Sequence, residues 1–389
     1  MKEGWEYSTI GKICKTYSGG TPLKNVKEYY QDGNIPWLRS GEVCKKYISE
    51  TELFITQKGL ENSSAKYYPI DTVVVAMYGA TAAQVGILKI EATSNQAVCG
   101  ILPNSKFLPE FLYYFFCYRK EFLASQAQGG AQPNISQVKI KNLSIPIPPL
   151  SEQQSIVDYL DSAFAKTDAM KANAKKALNE AKALFQASLK EMLEPKEGWE
   201  EKKLSDITEV KDGTHDSPKY VPEGTPFVTQ KNITNNGFDL LNTKKITIED
   251  HNKFYTRSNV EYGDIIISMI GANRGMSCIV DTRETFSIKN VGLIKKSDNI
   301  NTMYLLFYLH SPAAYAYVLD NSNGGAQEFI GLKGLRNFPI PYPPLSEQQS
   351  IVDTLDSLKS KVDRLQANYE KISQECDALK QAILRQVFE

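Results

Sequence analysis

The chain has 389 residues with 45 basic and 45 acidic side chains, so its formal net charge is zero. With 42% apolar and 23% charged residues it has the balance of a globular protein, not of a disordered or fibrous one. The length leaves room for two or three domains, and no apolar run approaches the roughly 20 residues that a membrane span needs. The polar opening Met1-Lys2-Glu3-Gly4 does not read as a signal peptide. Cys14, Cys44, Cys99, Cys117, Cys278 and Cys376 form no CxxC pair, and His215, His251 and His310 lack ligand spacing. Neither a disulfide framework nor a metal site is expected, and a reducing, cytoplasmic setting fits.

One repeat organises the chain. Pro149-Leu150-Ser151-Glu152-Gln153-Gln154-Ser155-Ile156-Val157-Asp158 returns unchanged at Pro344 to Asp353, 195 residues later. Gly129-Gly130-Ala131-Gln132 and Lys2-Glu3-Gly4-Trp5-Glu6 recur in almost the same phase, at Gly324 and Lys196. Two long units predict a pseudo-two-fold molecule, not a solenoid. The expected boundaries are 1–148 and 196–343 for two globular domains, with helical segments at 149–195 and 344–389. The charge balance is +4 over residues 1–150 and −1 over 196–345, a mild basic excess in the first domain.

In chain order, the first domain opens with the loop Ser18-Gly19-Gly20-Thr21-Pro22-Leu23-Lys24, followed by Ile35-Pro36-Trp37-Leu38-Arg39-Ser40. Asp71 to Tyr78 is β-branched and apolar, a buried strand, and runs into the turn Gly79-Ala80-Thr81. Pro109 to Ala127 predicts a helix, and Gln128 to Gln132 a polar glycine-rich loop. The prolines of Ile145-Pro146-Ile147-Pro148-Pro149 fit only an extended junction. A helix then covers 151–193, about 65 Å long, with Ser151 expected as its N-cap.

The second copy repeats this order. Asp212-Gly213-Thr214-His215-Asp216-Ser217-Pro218-Lys219 matches the first loop, and Thr225 to Asn232 the second. Asp264 to Ile270 is the buried strand, Gly271-Ala272-Asn273 its turn, and Met303 to Leu319 the helix. Beyond Ile340-Pro341-Tyr342-Pro343-Pro344, with Ser346 as expected N-cap, the last helix shows a 4-3 apolar spacing, the mark of a coiled-coil seam. The predicted seam holds Leu355, Leu358, Leu365, Tyr369, Ile372 and Leu379 in this helix, and Leu160, Ala163, Met170, Ala174, Ala177 and Leu184 in the first. The first series is small where the second is large, which favours pairing of the two helices with each other, antiparallel in a two-fold frame. The expected fold class is α+β, with two globular mixed α/β domains joined by a coiled-coil spacer of two long antiparallel helices.

Signatures of catalysis are missing. No GxGxxG follows a strand, no GxxxxGK[ST] cradles phosphate, and no GxSxG or Cys/His pairing supplies a nucleophile. The Pro-Pro runs lack the polar residue and the stacking aromatic of the Asp/Asn-Pro-Pro-Tyr motif that holds an amine beside a methyl donor. The matched loops suit binding better, since hydroxyls and lysine contact phosphate while arginine and amides read base edges. The candidates are Thr21, Lys24, Arg39 and Ser40 in the first copy, and Thr214, His215, Lys219, Gln230, Lys231 and Asn232 in the second. The strand-end turns add Tyr78, Asn273 and Arg274, and the glycine-rich loop adds Gln132.

A globular domain, a Pro-Leu-Ser-Glu-Gln-Gln junction and a long helix, all given twice, resemble the specificity subunits of type I restriction–modification systems. Gly19-Gly20-Thr21-Pro22, Ile35-Pro36-Trp37 and Asp212-Gly213-Thr214-His215 share the likeness, which covers essentially the whole chain. The resemblance implies two target recognition domains, each reading half of an asymmetric bipartite sequence in double-stranded DNA. It implies a helical spacer that sets half-site distance and docks two modification subunits, which carry S-adenosylmethionine and methylate adenine. Two restriction subunits would add ATP- and Mg-dependent translocation and cleavage, leaving this chain without catalytic residues, metal or cofactor of its own. The competing expectation is a non-catalytic coiled-coil scaffold that binds only protein partners.

Overall fold

Two β-branched runs form the centres of the two domains. Val73–Ala76 and Ile265–Ser268 are buried along their whole length, as strands packed on both faces must be. The computed structural model describes residues 4–126, 134–323 and 328–389. It divides into two compact units, Met1–Asn173 with Glu370–Glu389, and Ala174–Tyr369.

In the first unit Val73–Ala76 is the middle strand of a five-stranded sheet, in spatial order Thr16–Ser18, Val98–Ile101, Val73–Ala76, Val85–Leu88 and Tyr47–Ile48. All neighbours run antiparallel except the last pair. A smaller sheet sets Ile35–Leu38 between Phe54–Ile55, antiparallel, and Thr93–Ser94, parallel. In the second unit the order Val210–Asp212, Val291–Ile294, Ile265–Ser268, Ser277–Ile279 is antiparallel throughout. Its smaller sheet sets Thr225–Thr229 between Lys244–Ile246 and Ser287–Lys289, again one antiparallel and one parallel. The repeat is therefore one of topology as well as of letters.

The proline-rich junctions are strands that pair on one side only. Ser144–Ile147 pairs with Glu6–Thr9, and Pro339–Tyr342 with Glu200–Lys203, each as a two-stranded ribbon. A proline withholds its N–H, and such an edge tolerates the loss. The long helices follow, Leu150–Leu193 and Leu345–Phe388. Both begin one residue earlier than expected, so Ser151 and Ser346 lie inside the first turn. The capping acceptors are instead carbonyls. Pro149 O takes the N–H groups of Glu152 and Gln153, both at 2.9 Å, and Pro344 O those of Glu347 and Gln348, at 2.9 and 3.0 Å.

The repeated glutamine is the lock between domain and helix. Gln153 is fully buried: its Oε1 accepts from Leu108 N at 2.9 Å, and its Nε2 donates to Lys106 O and Pro148 O at 2.8 and 2.9 Å. Gln348, also fully buried, accepts from Asn301 N and donates to Pro343 O, both at 2.8 Å. These bonds satisfy backbone groups that no ladder reaches. The repeated motif thus makes the same kind of fastening in both copies, with one bond more at Gln153.

Each unit's core includes parts of both long helices. In the first, Phe388 packs on Phe111, Phe115 and Tyr118 beside Val157 and Leu160. In the second, Leu189 and Leu193 join Ile351, Val352 and Leu355. Cross-helix pairs fix an antiparallel course within the first unit, with Lys171 Nζ 2.8 Å from Asp377 and Lys380 paired to Asp168. In the second, Lys182 Nζ donates to Gln366 Oε1 at 2.8 Å.

The predicted seam holds in the second helix as far as Ile372 and is displaced in the first. Leu160 and Leu355 are buried, and Ala163, Ala174, Leu358, Leu365, Tyr369 and Ile372 are half-buried. But Met170, Leu184 and Leu379 are 54%, 59% and 48% exposed, and Ala177 is exposed. The covered column in the first helix is Val157, Leu160, Phe164, Thr167, Lys171, Ala174, Leu178, Ala181 and Phe185. Every second position is shifted by one residue. The cause is chemical: Lys171 takes the place expected of Met170 in this seam, and Lys380 that of Leu379 in the other helix. Lysine stems lie along the contact while the ammonium reaches the partner's carboxylate, and a tally of apolar letters passes over them. The helix expected over Met303 to Leu319 is also two, Thr302–Leu309 and Pro312–Asp320. Pro312 has no N–H to continue the first, and Ser311 Oγ caps the second at Ala314 N, 3.2 Å.

Candidate nucleic-acid interface

In the first unit the early loop and the loop after Ile35–Leu38 meet in an open cleft of about 390 Å³. It gathers three of the sequence-predicted residues, Thr21, Lys24 and Arg39, with Tyr30, Trp37, Leu53, Asn95 and Gln96. The floor is built before the polar groups are placed. Trp37, 4% exposed, donates from Nε1 to Gly20 O at 2.9 Å, Tyr30 OH donates to Pro22 O at 2.6 Å, and the two rings meet edge to face. Thr21 Oγ1 donates to Gln96 Oε1. Gly19 and Gly20 are needed for packing within the domain: a Cβ would stand 2.2 Å from Ser94 O and 2.3 Å from Ala65 N.

Arg39 lies exposed on the rim, paired with Glu52 and with Glu42 at 3.6 Å. Glu42 is itself fixed, because its carboxylate accepts from Arg39 N at 2.8 Å and Glu52 N at 2.7 Å. Ser40 is half-buried at the start of the turn Ser40–Glu42. Tyr78 does not line the cleft; it is half-buried against the main core and bridges to Asn134. Gln132 lies outside the described residues. Sequence reasoning missed Tyr30, Asn95 and Gln96. Asn95 follows Thr93–Ser94, which pairs with Trp37 and Leu38 only in the folded sheet.

The second unit arranges its early loop around a buried carboxylate. Asp212 is 6% exposed, and its Oδ1 accepts from Arg257 Nε at 3.0 Å and Nη2 at 2.7 Å. Its Oδ2 lies 3.1 Å from His215 Nε2, and His215 Nδ1 lies 2.7 Å from Asn290 Oδ1. Thr214 is buried: its N donates to Ile288 O at 3.1 Å and its Oγ1 accepts from Asp216 N at 3.1 Å. Asp216 pairs with Lys253 at 3.0 Å, and this hydrogen bond with the lysine's charge holds its carboxyl below the usual range. Lys289 Nζ donates to Ser217 Oγ at 2.7 Å, and Lys219 is exposed. Gly213, like Gly19, meets a strand backbone, with a Cβ 2.3 Å from Ile288 O.

The next loop is fastened by an amide where the first unit uses a carboxylate. Asn232 Oδ1 accepts from Thr229 N and Oγ1, both at 3.0 Å, the place that Glu42 takes beneath Arg39. Gln230 is half-buried and Lys231 exposed. Arg274 is committed to its own turn, donating to Gly271 O at 3.2 Å and pairing with Glu328. Asn273 O accepts from Met276 N at 3.0 Å in the same turn. Among the described residues no group of three His, Cys, Asp or Glu side chains could hold a metal ion, and no helix is long and apolar enough to cross a membrane.

Comparison with known proteins fits this doubled plan. The family described as "Type I restriction modification DNA specificity domain" matches twice, over residues 2–180 and 196–374. The specificity subunit of the type I restriction enzyme EcoKI from Escherichia coli (strain K12) is 24% identical, the match covering 100% of this chain and 89% of that one. The MjaVIII specificity subunit of Methanocaldococcus jannaschii is 25% identical, over 96% and 90% of the two chains. The EcoR124I/EcoR124II subunit of Escherichia coli is 30% identical over 44% of each. Among solved structures, the HsdS subunit from Thermoanaerobacter tengcongensis superposes with a TM-score of 0.60 at 20% identity, covering 100% and 97%. A chain from a study of complex assembly and conformational transition of the type I R-M system reaches 0.78 at 21%, covering 100% and 98%.

Proposed function

The chain belongs to the type I restriction–modification DNA specificity family, and on that premise we propose that it is the non-catalytic sequence-reading subunit of a methylating and restricting complex. Each domain reads one half of a bipartite target in double-stranded DNA. The paired helices hold the half-sites at a fixed spacing and dock two modification subunits. Those partners bind S-adenosylmethionine and methylate adenine N6 on a flipped base, and two restriction subunits bring ATP and Mg for translocation and cleavage. The site of action is the cytoplasm.

The observation that carries this reading is the pair of equivalent loops on one repeated scaffold, fastened by the Glu42 carboxylate beneath Arg39 in the first copy and by the Asn232 amide beneath Thr229 in the second. Two readers of one fold but different chemistry suit a target whose halves differ. The test is single-molecule methylome sequencing of a host expressing the chain with its modification subunit. A new split N6-methyladenine motif of two unlike halves around a fixed gap is expected. An assembled complex that leaves no new motif overturns the reading.

A further inference from the structure

Arg39 and Glu52 together present what the major-groove edge of one G·C pair requires. Guanine offers two acceptors, O6 and N7, which match the planar guanidinium fork, and its cytosine offers the N4 amino donor, which a carboxylate accepts. In the first unit both groups stand side by side as an ion pair on the rim of the Thr21–Trp37 cleft. Neither is free to wander. Glu42, only 12% exposed at its side chain, accepts from the backbone N–H groups of both residues and so ties the two loops in one register. Its other role is electrostatic, since it lies 3.6 Å from Arg39 Nε.

The charge count separates base reading from phosphate binding. One guanidinium flanked by two carboxylates carries a net charge of −1, which repels a phosphodiester but not the neutral edge of a base pair. Lys24, exposed on the same cleft with no carboxylate at salt-bridge distance among the described residues, is the side chain suited to the backbone. In the second unit the equivalent positions are Thr229 and Asn232, which carry no charge, so the device belongs to one reader alone.

We propose that the half-site read by the first domain contains a G·C pair recognised by Arg39 on guanine and Glu52 on cytosine, with Glu42 as the positioning residue. This rests on the DNA-reading function above. The test uses the chain assembled with its modification subunits. Methylome sequencing and duplex binding compare the unaltered complex with Arg39→Ala, Arg39→Lys and Glu52→Gln variants. All three changes are at exposed positions, and thermal unfolding of each variant checks that the fold is kept.

The expected result is loss of discrimination at one G·C position, about ten- to hundredfold for Arg39→Ala, with the other half of the motif unchanged. Arg39→Lys fails to restore it, because a point charge lacks the fork. Glu52→Gln relaxes the same position by less, and raises binding to non-target duplex as the repulsion falls. A uniform drop at all sequences with the motif intact would assign Arg39 to phosphate and overturn the proposal. A motif whose halves both ignore Arg39 and Glu52 would overturn it too, while leaving the specificity function standing. Failure of the unaltered complex to methylate any split motif would instead strike the function itself.

Discussion

The two copies solve one packing problem in two chemical dialects. Both tie domain to helix through a buried glutamine, and both press an early-loop glycine on a strand backbone. They part where the chain faces outward. The first orders its loops with the carboxylate of Glu42, and the second with the amide of Asn232 and the Asp212–Arg257 pair. Buried geometry tolerates few alternatives, whereas an exposed loop needs only that its backbone groups be satisfied, and many side chains do that. A repeated protein can therefore keep its frame and vary its surface.

The largest break in this comparison comes from the shared seam. Leu160→Ala in the first unit and Leu178→Ala in the second should each cost about 3 kcal/mol by denaturant unfolding, since both are buried, at 0% and 4% exposure. Met170→Ala and Leu184→Ala, one seam column away and exposed, should cost about 0.5 kcal/mol or less. Equal losses in both sets would return the contact to the predicted column.

Removing the glutamine locks comes next. Gln153→Ala and Gln348→Ala each strand a half-buried backbone N–H and empty a buried site, and should cost about 2 kcal/mol. Gln153 makes one bond more, to Lys106 O, so its loss should be the larger. Hydrogen exchange read separately over the two units checks that each change loosens its own copy.

Acid should separate the units. All three histidines lie in residues 174–369. Burial pushes His310 and His251 below the usual histidine range; His310 Nε2 lies 2.8 Å from Ser277 O and His251 Nδ1 2.9 Å from Ser287 Oγ. The unfolded chain takes up these protons first. Stability is therefore full above the unfolded value near 6.5, and falls as pH drops below it, by at most about 1.4 kcal/mol per pH unit for each histidine. The second unit should lose exchange protection between pH 7.5 and 5.5 ahead of the first. A first unit that weakens equally would refute the assignment.

The smallest effect sharpens the comparison at one turn. Ala83 has φ of +67°, where the matched residue of the second copy is Gly275 at +88°. Ala83→Gly should leave stability within about 0.5 kcal/mol of the parent, because relief of left-handed strain is offset by glycine's entropy cost and by the loss of a buried methyl. Gly275→Ala should lose about 1 kcal/mol from strain, since its Cβ would meet Val318 at an ordinary 3.5 Å. Thermal unfolding should show the larger change in Gly275→Ala.

By itself the sequence determined the doubled plan, the buried strands Val73–Ala76 and Ile265–Ser268, the proline junctions and the long helices. These follow from local rules, because β-branched runs, missing N–H groups and heptad spacing act within a few residues. It also singled out Thr21, Lys24 and Arg39 as binding candidates, and the fold brings these three to one cleft. What tertiary structure decided was where polar atoms find partners. Lys171 and Lys380 belong in the helix seam only because Asp377 and Asp168 stand across from them. Gln153 is a lock, and not a surface residue, only because Lys106 and Leu108 bring unpaired backbone groups to it. Asn95 and Gln96 join Arg39 only through the pairing of Trp37 with Thr93. A hydrogen bond between residues far apart in the chain leaves no spacing to read, and both the cleft and the helix locks depend on such bonds.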